Sequence, residues 1–249
     1  MTDSVLAASR TTAHMLSSEL EIASTPSTFW ETAAETRWGN YITRIERDML
    51  RAVCGSFPQP GSGLEIGCEG GRWCRMLTDV GWQMTATDID PDALALCQQR
   101  NPTIRCVLAH ADDRELPSAT ASVDLLLCLE VPPLADQVWF YREAGRVLKP
   151  GGKLVGTLNN LCSWRGAAVA AKSMLLGRRH FYTVSFRAFK KTLAEHGIAI
   201  DAAHGCCWPP FGRHSDSRLV GPATAVERML QLHKLPSISP WVVYTATRQ

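Results

Sequence analysis

The pattern of apolar and polar positions changes period several times along the chain, and each change predicts a new element. Between residues 29 and 54, apolar side chains recur about every 3.6 residues, at Ile42, Ile45, Met49 and Val53, as in an amphipathic helix. The segment SFPQPGSG, rich in proline and glycine, then ends this pattern. We therefore expect a new structural unit to begin near residue 58.

Short apolar runs alternate with helical patterns over residues 63–159. The helical segments are RWCRMLTDV, PDALALCQQR and ADQVWFYREAGRVL, and Pro91 stands in the first turn of the second. The apolar runs predict five strands: GLEIG, QMTATD, TIRCVLA, SVDLLLCLE and KLVGTLN. Strands that alternate with helices form a parallel sheet covered by helices on both faces. The pattern therefore predicts an α/β fold with a doubly wound sheet.

The last third of the chain has a different pattern. Residues 160–180 and the segments SFRAFKKTLAEHG and ATAVERMLQLH predict helices, and IAIDAAHGCCW and PWVVYTATR predict two further strands. We divide the chain into an N-terminal helical cap segment, residues 1–57, and an α/β domain, residues 58–249. We expect a lid insertion at about residues 160–182 and a long loop and helix at about residues 208–239. The first 25 residues, rich in Ala, Ser and Thr, predict a poorly ordered tail.

The composition is that of a globular enzyme. The 249 residues carry a net charge of +2 and are 45% hydrophobic, which gives no strong attraction to nucleic acid or membranes. The segment MTDSVLAASR lacks the layout of a signal peptide, and no apolar run reaches the ~18 residues of a transmembrane helix. Nine cysteines without tandem C-x-x-C spacing favour free thiols in a reducing compartment. We therefore expect a cytoplasmic protein without a metal site.

The segment GLEIGCEGGRW, residues 63–73, predicts a strand that runs into a glycine-rich turn and opens a helix. Such turns hold nucleotide-like ligands against backbone amides. Glu65, Asp88 and Asp112 fall in or after three successive strands, whose ends converge on one crevice in a parallel sheet. A carboxylate at Asp88 suits a ribose diol, and one at Asp112 can accept from the exocyclic amine of adenine. These acids indicate an adenosine ligand.

A dinucleotide does not fit this loop. The G-x-G-x-x-G fingerprint requires glycine where Glu69 stands. A pyrophosphate would also face Glu65 and Glu69, and like charges disfavour that arrangement. An adenosine that carries a cationic sulfonium and no phosphate removes the conflict.

Five segments resemble, in order and spacing, the motifs of the class I S-adenosylmethionine-dependent methyltransferases over about residues 60–160. They are LEIGCEGG, TATDIDPDAL, HADDRELP, SVDLLLCLEV and REAGRVLKPGGKLVGTLNN. The resemblance implies a Rossmann-like, mostly parallel sheet of seven strands with the last one antiparallel. It also implies S-adenosyl-L-methionine as cofactor and S-adenosyl-L-homocysteine as product. The implied cofactor contacts are Glu65, Gly67, Cys68, Glu69, Gly70, Gly71, Asp88, Ile89, Ala111, Asp112, Asp113, Leu129 and Glu130.

Two features depart from the family pattern. Glu69 replaces the middle glycine of the first motif, so its side chain points outward or takes part in substrate binding. After the fourth strand, where many relatives carry a Glu-His pair, this chain has EVPPLAD. An active-site histidine from that position is therefore absent.

The acceptor is expected to meet the methyl group between the N-terminal cap and the segment after the fifth strand. Aromatic residues are dense there and suit a flat or apolar small molecule, although packing of the cap is the favoured explanation for any single one of them. The substrate candidates are Trp30, Arg37, Trp38, Tyr41, Asn159, Trp164, Trp208, Phe211 and Arg213. The catalytic candidates are His214, which Asp216 could orient, and His180, Tyr182 and Glu130.

The sequence favours a small-molecule methyltransferase in secondary or specialised metabolism that acts on oxygen, with nitrogen and carbon left open as alternative acceptor atoms. The apolar segment AAVAAKSMLLGRRH leaves a second interpretation open, a lipid or quinone methyltransferase at a membrane surface, although a lid helix packed on the crevice is favoured. A third interpretation is a cofactor-binding protein that transfers no methyl group. Nucleic acid is not expected as a partner because no basic stripe is present, and the pattern leaves the oligomeric state open.

Overall fold

The computed structural model describes residues 28–177 and 180–249. The tail predicted for residues 1–25 lies outside the described residues, as do the two arginines at the end of the AAVAAKSMLLGRRH segment. The helices are α1 Phe29–Glu35, α2 Arg37–Cys54, α3 Arg72–Thr78, α4 Pro91–Arg100, α5 Val138–Val147, α6 Trp164–Leu176, α7 Phe186–Glu195 and α8 Val220–Met229. The strands are β1 Ser62–Ile66, β2 Gln83–Asp88, β3 Arg105–Leu108, β4 Val123–Cys128, β5 Leu148–Asn159, β6 Ile198–Cys206 and β7 Trp241–Arg248.

The seven strands form one sheet in the order β3-β2-β1-β4-β5-β7-β6. Strands β1 to β5 pair in parallel, whereas β7 runs antiparallel to both β5 and β6. The chain order reverses between β1 and β4, so a crevice opens at the carboxyl ends of these two strands. The doubly wound sheet with an antiparallel last strand is confirmed.

Helices cover both faces of the sheet. One core joins β4, β5 and β7 to α5 and α7 through residues such as Tyr141, Phe189 and Tyr244. The other joins β2 and β4 to α3 and α4, and Leu50 of α2 packs into it. Helix α2 also carries Trp38 onto β6 and β7. Because α2 bridges two parts of the sheet, it holds the N-terminal segment above the crevice.

The predicted single helix over residues 29–54 is interrupted at Thr36. The Thr36 side chain caps α2 by accepting a hydrogen bond from Gly39 N–H at 3.1 Å. A Cβ atom at Gly39 would lie 1.9 Å from the Ala33 carbonyl oxygen, so the close approach of the two helices requires glycine. The break redirects α1 toward the glycine-rich loop.

The lid predicted near residues 160–182 contains α6, but only the N-terminal half of this helix packs against the protein. Gly166 is its only buried residue. Met174 and Leu175 are 87% and 85% exposed. The apolar side chains of the C-terminal half of α6 therefore face away from the protein.

Candidate functional site

The glycine-rich loop after β1 turns sharply because three of its residues have left-handed backbone conformations. Gly67, Glu69 and Gly71 have φ angles of 69°, 48° and 76°. A Cβ atom at Gly71 would lie 2.4 Å from Cys97 Sγ, and one at Gly67 would lie 2.7 Å from a Val131 methyl group. The loop packs so closely on its neighbours that these two positions require glycine.

Glu69 holds the N-terminal helix against this loop. Its carboxylate accepts hydrogen bonds from Thr28 Oγ1 at 2.7 Å and from Trp30 N–H at 3.2 Å, at the start of α1. A carboxylate at a helix N-terminus is stabilised by the helix dipole. These contacts offset the cost of about 1–2 kcal/mol that a non-glycine residue incurs in the left-handed region. Glu69 is thus turned toward α1. The sequence alone had not determined whether this side chain points outward or takes part in substrate binding.

Asp88 ends β2 beside the loop. One carboxylate oxygen accepts from Glu69 N–H at 2.8 Å, and the other accepts from Asp90 N–H at 3.0 Å. The two hydrogen bonds fix the position of the carboxylate at the mouth of the crevice. Its remaining lone pairs are free to accept hydrogen bonds from a ligand.

A cavity of about 480 Å³ opens between the loop, the end of β2 and the segment after β4, and we call it the glycine-loop cavity. Its volume suits a nucleoside-sized ligand. Ile89 and Leu108 line it and are 64% and 43% exposed, so a ligand there would cover apolar surface. The expected cofactor residues that line this cavity are Gly67, Glu69, Asp88, Ile89, Ala111, Asp113 and Glu130.

The other expected cofactor residues lie behind or beside this lining. Asp112 is exposed between two lining residues, and its contact with an adenine amine stays a prediction. The remaining ones are buried beneath the loop or at the end of β4: Glu65, Cys68, Gly70, Gly71 and Leu129. They shape the backbone that the cavity wall presents.

Glu65 is buried in β1 and accepts a hydrogen bond from Cys74 N–H at 2.9 Å, at the start of α3. Burial raises the pKa of Glu65 to about 8, while the hydrogen bonds from Cys74 act in the opposite direction. The side chain therefore joins β1 to α3 from below the loop.

Glu130 follows β4 and forms an ion pair with Arg213, whose Nη1 lies 2.6 Å from Glu130 Oε2. The Arg213 guanidinium is stacked between the rings of Trp30 and Trp241, at 4.0 and 4.4 Å from their centroids. The Glu130 backbone has a φ angle of 58°, and its N–H donates to Thr157 Oγ1 at 2.6 Å. The strained backbone directs the carboxylate toward Arg213.

Glu46 of α2 is fully buried and lies beside this ion pair. Its Oε2 is 3.3 Å from Arg72 Nη2, whereas Oε1 has no hydrogen-bond partner among the described residues. Burial raises the pKa of both Glu46 and Glu130, and the charge of Glu46 raises the pKa of Glu130 further. The carboxyl groups of Glu46 and Glu130 and the guanidinium groups of Arg72 and Arg213 therefore form one cluster.

A second cavity, of about 470 Å³, lies on the other side of Arg213, and we call it the aromatic cavity. Arg213 itself belongs to its lining. The other sequence candidates that line it are Trp38, Asn159, His180, Tyr182 and Phe211. The structure thus brings four of the nine predicted substrate residues and two of the catalytic candidates together in one cavity.

The remaining candidates lie elsewhere. Arg37 and Tyr41 line a third cavity of about 690 Å³ between α2 and α8. Trp164 is exposed, and its indole N–H donates to the Trp208 carbonyl oxygen at 3.1 Å, outside the aromatic cavity. Trp30 covers the glycine-loop cavity rather than the aromatic one.

His214 does not face any of these three cavities. It is exposed and packs edge-on against Phe29, with ring centroids 4.7 Å apart. Asp216, which was expected to orient it, instead pairs with Arg37 at 3.6 Å. The predicted His214–Asp216 arrangement is therefore wrong, because Arg37 attracts the carboxylate.

Sequence reasoning missed Glu46, Arg165 and Thr28. The burial of Glu46 could have been predicted, since Glu46 follows Ile42 by one helical turn and so stands on the apolar stripe of α2. No sequence pattern indicated Arg165 or Thr28, because they contact residues more than forty positions away, Phe211 and Glu69 respectively.

Among the described residues, no helix is both long and apolar enough to cross a membrane. Within residues 28–177 and 180–249, no group of three or more His, Cys, Asp or Glu side chains is arranged so that it could hold a metal ion.

Comparisons with known proteins agree with this geometry. Residues 64–156 match a family described as a methyltransferase domain. A probable S-adenosylmethionine-dependent methyltransferase of Mycolicibacterium smegmatis is 37% identical over 100 residues, which are 39% of this chain and 38% of that protein. A ubiquinone biosynthesis O-methyltransferase of Idiomarina loihiensis is 31% identical over 121 residues, which are 45% of this chain and 49% of that protein. The matches span less than half of the length of these two curated relatives.

The fold is similar to that of solved structures. Geranyl diphosphate C-methyltransferase from Streptomyces coelicolor, crystallised with Mg²⁺, geranyl diphosphate and S-adenosyl-L-homocysteine, gives a TM-score of 0.58 at 17% identity. The likeness covers 83% of this chain and 80% of that one. At this identity it concerns the arrangement of the sheet and its helices.

Proposed function

We propose that this chain, whose residues 64–156 form a domain of the class I S-adenosylmethionine-dependent methyltransferase family, methylates a small-molecule acceptor held in the aromatic cavity. One observation supports the proposal most directly. Glu130 lines the glycine-loop cavity, Arg213 lines the aromatic cavity, and the two side chains touch at 2.6 Å. A cofactor in one cavity and an acceptor in the other would meet at this pair.

The residues of the glycine-loop cavity fit S-adenosylmethionine. Asp88 presents a fixed carboxylate for the ribose hydroxyls, and Ile89 and Leu108 offer apolar surface for the adenine. Glu69 lies at the same wall and disfavours a phosphate group there. When bound, this cofactor supplies a methyl group on a positively charged sulfur.

The protein itself has to position the acceptor, exclude water and remove a proton where the acceptor carries one. Oxygen is the acceptor atom that we favour, because a hydroxyl group must lose its proton and Glu130 is situated to take it. Burial and the charge of Glu46 raise the pKa of Glu130, which makes its carboxylate a stronger base than an exposed one. Arg213 opposes this shift and so favours the ionised form of Glu130.

The two other catalytic candidates in the aromatic cavity serve to orient the acceptor. His180 Nδ1 accepts a hydrogen bond from Tyr182 N–H at 3.2 Å, which leaves its Nε2 to carry the proton of the neutral ring. Burial raises the pKa of the Tyr182 hydroxyl, so this group is a hydrogen-bond donor at neutral pH. Neither group is therefore the proton acceptor in our scheme.

A second candidate function is methylation of a lipid or quinone at a membrane surface. Met174 and Leu175 of α6 are almost fully exposed, and Phe181, which is 56% exposed, lies at the aromatic cavity that the same segment borders. Exposed apolar side chains beside a substrate cavity are expected of a protein that draws its substrate from lipid. The similarity to a ubiquinone biosynthesis O-methyltransferase supports this second candidate.

Methyl-labelled S-adenosylmethionine with a panel of phenols, quinols, carboxylic acids and amines tests the proposal. We expect label in at least one acceptor of the panel. Binding of S-adenosylhomocysteine without transfer to any of them would instead favour a protein that binds the cofactor and transfers no methyl group.

A further inference from the structure

The charged side chains of the aromatic cavity have one sign. Among the described residues that line it, Arg165 and Arg213 are charged, and no Asp or Glu is present. Glu130 lies behind Arg213 and neutralises part of its charge. The cavity therefore attracts an anion more than a cation.

Arg165 has a donor that lacks an acceptor. Its Nη2 donates to the carbonyl oxygens of Pro209 and Phe211, at 2.5 and 3.0 Å, and so fixes the loop that carries Arg213. Its Nε is buried and has no hydrogen-bond partner among the described residues. A buried donor without a partner costs about 1–3 kcal/mol, and Arg165 belongs to the lining of the aromatic cavity.

His180 adds a further donor. Because its Nδ1 accepts from Tyr182 N–H, its Nε2–H is available as a donor. Arg165, Arg213 and His180, which all line the aromatic cavity, thus carry hydrogen-bond donors. An amine would meet repulsion there, whereas a carboxylate would accept hydrogen bonds from these groups.

The walls of the cavity are aromatic. The rings of Trp38 and Phe211 pack with centroids 5.2 Å apart, and Tyr182 and Trp241 complete the lining. Such walls favour a flat ring over a flexible chain.

We propose that the acceptor is a hydroxylated aromatic acid, whose carboxylate is bound by Arg165 and Arg213 and whose ring lies against Trp38 and Phe211. This inference rests on the proposed function. The acid would compete with Glu130 for Arg213, and the release of Glu130 would free its carboxylate to take the proton of the acceptor hydroxyl. The bond from oxygen to the methyl carbon then forms as the carbon–sulfur bond breaks, and S-adenosylhomocysteine leaves as a neutral thioether.

Three matched probes test the inference by calorimetry on the wild-type protein with S-adenosylhomocysteine present. They are 4-hydroxyphenylacetate, its neutral amide and tyramine, which share a phenol ring and differ in charge. We expect the acid to bind at least about tenfold more tightly than the amide, and tyramine to bind more weakly than both. Equal affinity of acid and amide, tighter binding of tyramine, or no binding of the acid would overturn it.

Two variants separate a ligand contact from a structural effect. Arg165→Met should reduce the affinity for the acid about tenfold and leave the affinity for the amide unchanged, whereas a collapsed cavity would weaken both. Arg187→Met, at an exposed position of α7, is the matched control and should bind the acid as the wild type does. If S-adenosylhomocysteine itself fails to bind, the proposed function fails; if it binds and the acid is not preferred, only this inference fails.

Discussion

Arg213 Nη1 and Glu130 Oε2 lie 2.6 Å apart at the boundary between the glycine-loop cavity and the aromatic cavity. Each residue belongs to the wall of a different cavity, and Trp30 and Trp241 hold the guanidinium between their rings. In the proposed scheme, an acceptor in the aromatic cavity would meet the cofactor at this ion pair.

Replacement of Glu130 by glutamine keeps the shape of the side chain and removes its ability to take a proton. We expect Glu130→Gln to lower kcat by a factor of about 10²–10⁴ on a hydroxyl acceptor. The Kd for S-adenosylhomocysteine should change less than about threefold, because Asp88 is intact. Steady-state kinetics with the acceptor found in the labelling panel measures the first quantity and calorimetry the second.

The pH profile gives an independent readout of the same residue. The pKa of Glu130 is raised and its ionised form is the active one, so the kcat of the wild type should rise with pH through that pKa. Glu130→Gln should lose this rise, and the control Glu195→Gln, at an exposed position of α7, should keep it. An unaltered kcat and pH profile in Glu130→Gln would show that the carboxylate takes no proton.

Glu69 anchors α1, and two variants separate the effect of its hydrogen bonds from that of its backbone strain. Glu69→Ala loses the bonds to Thr28 and Trp30 and keeps a side chain at φ 48°, so we expect a loss of about 1–2 kcal/mol in unfolding free energy. Glu69→Gly loses the same bonds but relieves the strain, and should be more stable than Glu69→Ala by about 1 kcal/mol. Urea unfolding measures the unfolding free energies of the two Glu69 variants and the wild type, with Glu35→Ala, at an exposed position of α1, as control. Equal stability of all four proteins would contradict the anchoring role.

Glu65 is expected to make stability fall as pH rises. Its pKa in the folded protein, about 8, is above the ordinary value of 4.5, so the neutral carboxyl is the form that the fold favours. The stability it contributes is fully present below the ordinary value and is lost as pH rises through about 8. Glu65→Gln cannot ionise, so its unfolding free energy should depend less on pH. Between about pH 5.5 and pH 8.5, we expect its decrease to be smaller than that of the wild type by at least about 1 kcal/mol. Urea unfolding at both pH values gives the comparison, and parallel behaviour of the two proteins would exclude a buried, titrating Glu65.

Sedimentation with lipid vesicles tests the second candidate function. If α6 docks on a membrane, the wild type should co-sediment, and Met174→Ser with Leu175→Ser should reduce the bound fraction severalfold because two exposed apolar side chains are lost. Val80→Ser removes an exposed apolar side chain, 60% exposed, from the turn after α3 and should bind as the wild type does. Absence of wild-type binding would eliminate the membrane candidate and leave the acceptor in solution.

The sheet and the cofactor side of the site could be predicted from the sequence because they depend on local signals. The turn at Gly67 and Gly71 and the carboxylate of Asp88 stand at fixed distances from their strands. Because the carboxyl ends of parallel strands lie at the same edge of the sheet, these residues come together whatever the rest of the fold is. The helix Pro91–Arg100 was likewise predicted to the residue, since proline marks its first turn.

The acceptor side could not be predicted in the same way. Glu130 and Arg213 are 83 positions apart, and their pairing depends on how the loop before α8 folds back over the sheet. Nothing in a local pattern distinguishes Arg213 from His214, yet one is half-buried between two indoles and the other is exposed. The break at Thr36 was missed for a similar reason, because the contact between Gly39 and Ala33 appears only once the two helices pack.

Calorimetric titration of the wild type and of Asp88→Ala with S-adenosylhomocysteine, and of the wild type with NAD, tests the central claim most directly. The wild type should bind S-adenosylhomocysteine and not NAD, and Asp88→Ala should bind it about 1–3 kcal/mol more weakly through the loss of charge-assisted hydrogen bonds. Binding of NAD without binding of S-adenosylhomocysteine, or an undiminished affinity in Asp88→Ala, would contradict the account.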